Sequence, residues 1–466
     1  MAETVDVVVV GMGPGGEELA GRLAESGLAV VGIDARLVGG ECPYYGCVPS
    51  KMMIRAAGSL AEARRVPALA GRSEVMPDYT PVARRIREEA TDTWDDKVAV
   101  DRFTSKGGRF VRGSGRLTGP RTVRVGEQEF TASRAIVLNT GTEPAIPPVP
   151  GLAGTPYWTN REAVATETVP SSLIVLGAGA IGLELAQAFA RFGSAVSVVE
   201  VADRILPLEE PEASGVVAGV LTAEGLQLHT GAPAERVSHD GTGFTVSLAD
   251  TQLRAERLLV ATGRRTDLAG LGLAAIGLDT ERKFLDPDDR MRIAVEDVAR
   301  GASGEGGRQV GVYAIGDITG KGAFTHVSMY QAAIAARDIL GEDGPPAEYH
   351  AVPRVTFTDP EVGAVGLTEI QARERGIDVR TAVAELPNSA RGWIHKAGNE
   401  GLIKLVEDAD RGVLVGATAV GPSGGEVLAG LAVAVHAEVP TGRLRQLIYA
   451  YPTFHRAIED ALGRLR

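Results

Sequence analysis

Apolar and polar positions fall into two matching blocks along this chain. Val5–Val10, β-branched at every position but Asp6 and followed by glycine, has the pattern of a strand buried on both faces of a parallel sheet. Leu19, Leu23 and Leu28, with polar positions between them, predict a helix, and Ala29–Ile33 predicts the next strand, so residues 5–34 read as one βαβ unit. The same order returns 166 positions later: Leu173–Leu176, a glycine cluster, a helix around Gly182–Phe192, then Ala195–Glu200. Two such units predict two nucleotide-binding domains. Between them lie an arginine- and glutamate-rich helical stretch over 82–100 and hairpin-like strands over 108–138, ending in a proline-rich crossover at Pro144–Gly151. A second boundary falls at Gly341–Ala347. Alternating strands over 352–367 and 401–420 and amphipathic helices over 424–437 then predict a final α+β unit. Ala299–Arg308, almost devoid of large apolar residues, reads as a surface loop.

Length agrees with this division, since 466 residues at about 150 per domain make about three units. With 44% hydrophobic and 23% charged residues the chain is an ordinary globular one. Its net charge of −12 repels phosphate backbones and anionic lipid, so neither nucleic acid nor a membrane surface is an expected partner. Arginine pairs such as Arg64/Arg65 and Arg84/Arg85 read as solvated helix faces. No apolar run approaches the ~18 residues of a membrane helix, and MAETVDVVVV lacks the basic start of a signal peptide, which places the protein in the cytoplasm as an expectation. Two cysteines are too few for a secreted disulfide framework. The 59 glycines show no collagen-like period and so serve turns and close backbone approaches.

The candidate chemistry begins with glycines. Gly11, Gly13 and Gly16 follow the first strand and open its helix, an arrangement that cradles a pyrophosphate, and Asp34 ends the next strand 18 residues beyond Gly16, where a carboxylate accepts from a ribose diol. Gly177, Gly179 and Gly182 repeat the motif with Glu200 at the same interval, and the equal spacing argues against solvent-facing turns. A carboxylate at Glu200 accepts from a 2′-hydroxyl and repels a 2′-phosphate, which predicts NADH over NADPH, with Arg204 nearby as a moderating cation. Cys42 and Cys47 stand five apart. On an ideal helix their Cα atoms would be about 8.7 Å apart, beyond the ~7 Å limit for a disulfide, but Pro43 and Gly46 allow a broken turn. Spacing alone favours two structural cysteines in a reducing compartment.

The surrounding residues reverse that preference. Gly39-Gly40-Glu-Cys42-Pro-Tyr-Tyr-Gly-Cys47-Val-Pro-Ser-Lys51 resembles the redox-active disulfide signature of the FAD-dependent pyridine nucleotide-disulfide oxidoreductases. Asn139-Thr140-Gly141 and Ala261-Thr-Gly263-Arg264 resemble the paired domain-crossing turns of that family, and Tyr313–Asp317 resembles its second FAD motif. Phe357–Glu361 and Gly401–Val406 look like its interface domain. The resemblance implies an α/β fold of two Rossmann-like three-layer domains plus a C-terminal α+β dimerisation domain. It implies FAD over 1–150 and 277–348, NAD(P) over 151–276, and a homodimer through 349–466. It further implies that Cys47 is the thiol beside the flavin, Cys42 the interchange thiol that meets the acceptor, and Lys51 a flavin-side cation paired with Glu184. Asp317 would bond the ribityl chain, and Ala323, Thr325 and His326 would pass beside the isoalloxazine ring. Gly40, Gly115, Thr140, Gly141 and Gly263 complete the implied cofactor contacts.

The pattern also breaks. Where family disulfide reductases carry a His-Pro-Thr segment and a glutamate five positions after the histidine, this chain has Tyr451-Pro452-Thr453 and Arg456. Neither tyrosine nor arginine replaces a base at neutral pH. His455, one helical turn beyond Tyr451 with Glu459 at i+4, is the substitute to examine, against a plain surface ion pair. Pro43, Tyr44 and Tyr45 replace the small residues usual inside the motif, and the two rings offer either a face to a planar acceptor or core packing. Tyrosine at the histidine position resembles mercuric reductases, whose C-terminal cysteines this chain lacks. The stretch around 299–308 resembles an insertion of about 15 residues, and the remaining histidines show no ligand spacing, so no metal site is expected. The expected activity is NADH-driven reduction, through FAD and the Cys42–Cys47 disulfide, of a small acceptor, foremost a low-molecular-mass disulfide. The alternatives are quinone reduction directly from the flavin, dihydrolipoyl dehydrogenase activity, and a flavin-bearing redox sensor with little turnover.

Overall fold

The computed structural model describes residues 2–295 and 310–465, and the expected loop at 299–308 lies outside them. The chain forms two compact units, one of residues 1–49, 87–143 and 264–349, the other of 50–86, 144–263 and 350–466.

The first unit is built on a seven-stranded sheet. Strand Glu3–Val10 pairs in parallel with Val30–Asp34 on one side and Gln128–Leu138 on the other, and Gly311–Ala314 extends the latter. Successive side chains of the first strand point to opposite faces. Val7 and Val9 therefore pack with Leu19, Leu23, Phe103 and Ala335, and Val8 and Val10 with Phe130, Leu271, Leu273 and Ile276. Burial on both faces is why Val7–Val10 reads as continuous β-branched residues.

Three expectations about residues 14–138 are corrected. The first helix spans Pro14–Glu25, so Leu28 lies beyond it, after Gly27 turns the chain at φ +85°. Strand Arg109–Arg112 is no hairpin arm but pairs in parallel with Val30–Asp34, and only Arg116–Gly119, Thr122–Val125 and the start of Gln128–Leu138 run antiparallel. The stretch over 82–100 is not one helix: a helix at Thr80–Arg85 widens over Ile86–Ala90, breaks at Asp92–Trp94, and a second helix follows at Lys97–Ser105.

In the second unit, Gln227–His229, Ala195–Val199, Ser172–Leu176 and Arg257–Val260 form a four-stranded parallel sheet. The C-terminal part is a five-stranded antiparallel sheet in the order 353–356, 361–366, 413–421, 402–408, 379–385. Its strand Val379–Glu385 and its terminal helix Ala457–Arg464 escape the sequence pattern, the first because its buried residues, Val379, Ala382 and Ala384, fall on both faces and break the alternation. An ion cluster joins the C-terminal sheet to the start of the helix Pro211–Ala223 within the unit. Lys404, 2% exposed, places its Nζ 3.0 Å from Glu210, 2.8 Å from Glu212 and 3.0 Å from Glu369. Three carboxylates offset the desolvation of one buried ammonium. Among the described residues, no helix is long and apolar enough to cross a membrane.

Candidate active site

The two glycine motifs have the same construction. Gly11 and Gly177 adopt φ of +96° and +100°, and a Cβ on either would lie 2.3 Å from Asn139 O or 2.4 Å from Ala261 O. A Cβ on Gly16 or Gly182 would lie 2.1 Å from the carbonyl of its own motif's first glycine. These four are required by the chain's own packing. The middle glycines differ: a Cβ on Gly13 would meet only the Asn139 amide at 3.4 Å, and one on Gly179 nothing within 4 Å. Backbone bare of side chain, facing open space at a helix start, fits the pyrophosphate of a dinucleotide in both motifs.

The acidic residues after the second strands act alike as well. Asp34 accepts from the Met12 and Arg36 amides, both at 2.7 Å, and Glu200 from Ala178 at 2.7 Å and Ala202 at 2.9 Å. Each carboxylate thus braces its own glycine loop and keeps further lone pairs for hydroxyl donors. Burial raises the Asp34 pKa against the pull of its amide bonds. Arg204 is turned away from this role, donating to the Leu206 and Pro207 carbonyls at 2.8 Å each.

A short helix, Glu41–Tyr44, carries Cys42, and a 19-residue helix, Cys47–Arg65, starts on Cys47. Between them Tyr45 and Gly46 break the helical path. A Cβ on Gly46 would stand 3.1 Å from Glu41 O and 3.5 Å from the Cys42 Cα, so glycine lets the two cysteine segments fold closely together. Cys42 is half-buried and Cys47 exposed, with its Sγ 3.7 Å from the Thr325 hydroxyl at the start of the helix Thr325–Leu340. Gly40 backs onto the first glycine motif, its Cβ position 3.0 Å from Gly13 Cα.

Asp317 receives a hydrogen bond from the Thr142 hydroxyl at 2.8 Å, which in turn accepts from Arg264 Nε at 2.7 Å. The same guanidinium reaches Glu41, next to Cys42, at 3.8 Å. Burial raises the Asp317 pKa, opposed by Thr142 and by the Arg264 charge. Thr142, just past the Asn139–Gly141 turn, was missed by sequence reasoning, and Arg264, read there only as part of a domain-crossing turn, gains this role from the fold. Thr140 is exposed, and Gly141 and Gly263 adopt φ of +67° and +121° with open space at their Cβ positions. Gly115 instead packs on Val10 and Ile33. Ala323 and His326 are exposed, and the His326 ring stacks on Phe324 at 5.1 Å.

In the second unit the structure brings Lys51 and Glu184 together, Nζ to Oε2 at 2.8 Å. The other Glu184 oxygen accepts from the Phe357 amide at 2.8 Å, and the Phe357 ring lies 4.6 Å beneath the ammonium. Glu184 is 5% exposed, so the pair is held by a partly desolvated bond and a cation–π contact rather than by a mobile surface bridge. Phe357, named from the sequence only as part of an interface segment, gains this contact from the fold.

The C-terminal expectations fare differently. Tyr451 is 70% exposed on a turn, and no helix joins it to His455, which sits in the 3-10 turn Phe454–Arg456. Glu459 bonds Arg456 at 2.6 Å rather than His455, whose Nε2 lies 3.5 Å from the Thr453 hydroxyl. The rings of His350 and His436 stack at 5.6 Å, a meeting that chain spacing conceals. Tyr44 is buried and presents no face to an acceptor. Its hydroxyl is pushed up to about 12, chiefly by burial. Tyr45 is the half-exposed one.

Residues 5–333 match the family model of the pyridine nucleotide-disulphide oxidoreductases, and 352–462 match the dimerisation domain of that family. The chain is 32% identical to a dihydrolipoyl dehydrogenase of Chlorobaculum tepidum, covering 99% of this chain and 97% of that protein. It is 30% identical to a mercuric reductase of Bacillus cereus, over 98% of this chain and 71% of the relative. A solved structure of the HOCl-induced flavoprotein disulfide reductase RclA from Escherichia coli superposes with a TM-score of 0.83 at 25% identity, covering 99% of this chain and 100% of that one.

Proposed function

Since the chain belongs to the pyridine nucleotide-disulphide oxidoreductase family, and is thereby an FAD-dependent oxidoreductase that uses NAD(P)H, we propose that it passes electrons from NADH through a Cys42–Cys47 disulfide to a low-molecular-mass disulfide. The observation that carries this reading is the helix break at Tyr45–Gly46, which folds the two cysteine segments against each other where an unbroken helix would hold them apart.

Bound FAD supplies a two-electron carrier between nicotinamide and disulfide. Gly11, Gly13, Gly16 and Asp34 would hold its ADP half and Asp317 its ribityl hydroxyls, in a domain made of 1–150 and 277–348. Gly177, Gly179, Gly182 and Glu200 would hold NADH within 151–276. The Glu184 carboxylate and Phe357 ring hold Lys51 in one place, which fixes where its positive charge acts. The reduced Cys42 thiolate attacks one sulfur of the acceptor and expels the other as a thiolate, and Cys47 then displaces the second half and restores the disulfide. Over the cycle the acceptor gains two electrons from NADH and two protons, one from NADH and one from solvent.

Direction follows from the C-terminal segment. Oxidising a dithiol needs a base, and Tyr451 and Arg456 offer none, whereas reducing a disulfide asks only that departing thiolates be protonated, which tyrosine and water do. This ranks disulfide reduction above dihydrolipoamide oxidation. The matched dimerisation domain, together with exposed Val433, Leu447, Ile448 and Tyr451, supports a homodimer.

Glu200 is braced on Ala178 and Arg204 is tied to its own loop, so Arg204 is not placed to receive a 2′-phosphate. The expected kcat/KM for NADH exceeds that for NADPH by about tenfold or more, the effect of roughly 1.4 kcal/mol of unfavourable charge. Steady-state assays with both nucleotides and a small disulfide, counting two thiols released per NADH, test the reading. A rate with NADPH equal to or above that with NADH would sink the nucleotide assignment, and NADH oxidation without thiol release the acceptor assignment.

A further inference from the structure

One short segment is built against its own conformational preference. Asp92, Thr93 and Trp94 succeed one another at φ of 47°, 60° and 57°, a left-handed run that side chains with a Cβ disfavour at every step. Such a run persists only where its surroundings over-determine it. Locally, the Thr91 hydroxyl accepts from the Trp94 amide at 3.4 Å, and the Thr91 carbonyl from the Asp95 amide at 3.2 Å. Two further bonds reach the redox turn of the same unit. Asp96, 7% exposed, accepts from the Val38 amide at 2.7 Å and is itself held by Arg112 at 2.5 Å. The Trp94 indole donates to the Tyr44 carbonyl at 3.3 Å. The strained segment therefore grips the chain on both sides of Cys42, four residues before it and two after it.

The Tyr44 carbonyl closes a four-residue helix, where intrahelical donors run out. We propose that Trp94 is a positioning residue whose indole N–H holds the break between the two cysteine segments in the geometry that closes their disulfide. This rests on the reading of Cys42 and Cys47 as the redox pair. A pinned turn keeps each thiol at a high effective concentration beside the other, which favours the disulfide over the dithiol. In the closing step, with oxidised glutathione as oxidant, the two cysteines form one S–S bond and give up two electrons and two protons, and the glutathione disulfide becomes two thiols.

The test equilibrates the holoenzyme in glutathione redox buffers, traps thiols and counts them by mass. In Trp94→Phe the equilibrium constant for disulfide formation falls about fivefold, while the rate at which NADH bleaches the flavin stays within twofold. Trp94→His keeps a ring N–H and lies between wild type and the phenylalanine variant. Thr93→Gly relieves the left-handed strain but keeps both anchors, so its constant stays within twofold and its Tm is equal or higher. An unchanged constant in Trp94→Phe, a histidine variant no closer to wild type, or an equal shift in Thr93→Gly overturns the positioning role. A wild-type protein that traps no Cys42–Cys47 disulfide in the most oxidising buffer overturns the underlying redox-pair reading, and this outcome is separately visible because it precedes any comparison of variants.

Discussion

Cys42→Ser is expected to lower turnover with a low-molecular-mass disulfide by about 10³-fold or more while NADH still bleaches the flavin. A serine hydroxyl does not ionise near neutral pH and is a poor nucleophile toward sulfur, so the interchange step loses its attacking group without any change in shape. The site tolerates the swap because Cys42 is only half-buried, on a helix whose path is set by Gly46 and the Glu41 carbonyl rather than by the sulfur. The same variant separates the two acceptor chemistries. Quinone turnover that survives the substitution, together with lost disulfide turnover, assigns quinones to direct exchange with the flavin and disulfides to the cysteine. Retention of more than a tenth of the disulfide activity would remove Cys42 from the path altogether. Stopped-flow reduction by NADH, followed by steady-state assays with each acceptor, distinguishes these results.

The second large effect is expected at Gly179. Its backbone lies at φ −81° and ψ −175°, an extended conformation open to any residue, and its Cβ position has no neighbour within 4 Å. Gly179→Val should therefore fold with little change in Tm and retain FAD, because none of the described residues occupies that space. On the proposed reading the valine would occupy the cradle for the NADH pyrophosphate, and the expected rise in KM for NADH is about 10²-fold, equivalent to about 2.7 kcal/mol. Gly182→Val is the contrasting variant: its Cβ would fall 2.1 Å from the Gly177 carbonyl, so it should fail in folding before it fails in binding. An unchanged KM in a well-folded Gly179→Val protein would show that the dinucleotide does not pass over this residue.

These expectations differ in where they were visible. The βαβ units, their glycines and the carboxylates that follow them are written into windows of about 30 residues, since strand burial, tight turn and helix start are each local demands on residue type. The 18-residue interval from Gly16 to Asp34 and from Gly182 to Glu200 is a local length, and in both copies the structure turns it into a carboxylate bonded to its own glycine loop. The resemblance carried Lys51 and Glu184, 133 positions apart, which composition and spacing do not connect.

By itself, then, the sequence determined the order of strands and helices in the nucleotide units, the glycine turns, and the placing of two cysteines on either side of a breakable turn. Tertiary structure decided which of several eligible groups each side chain meets. Tyr44 turned inward to the core while Tyr45 stayed half-exposed, Glu459 went to Arg456 and not to His455, Phe357 came under Lys51, and a left-handed turn at Asp92–Trp94 interrupted what reads as continuous helix. The physical reason is one of range. Periodicity and turn chemistry act between neighbours in the chain, whereas a charge or ring with several partners of similar energy within reach is assigned only when distant segments pack and desolvate one choice.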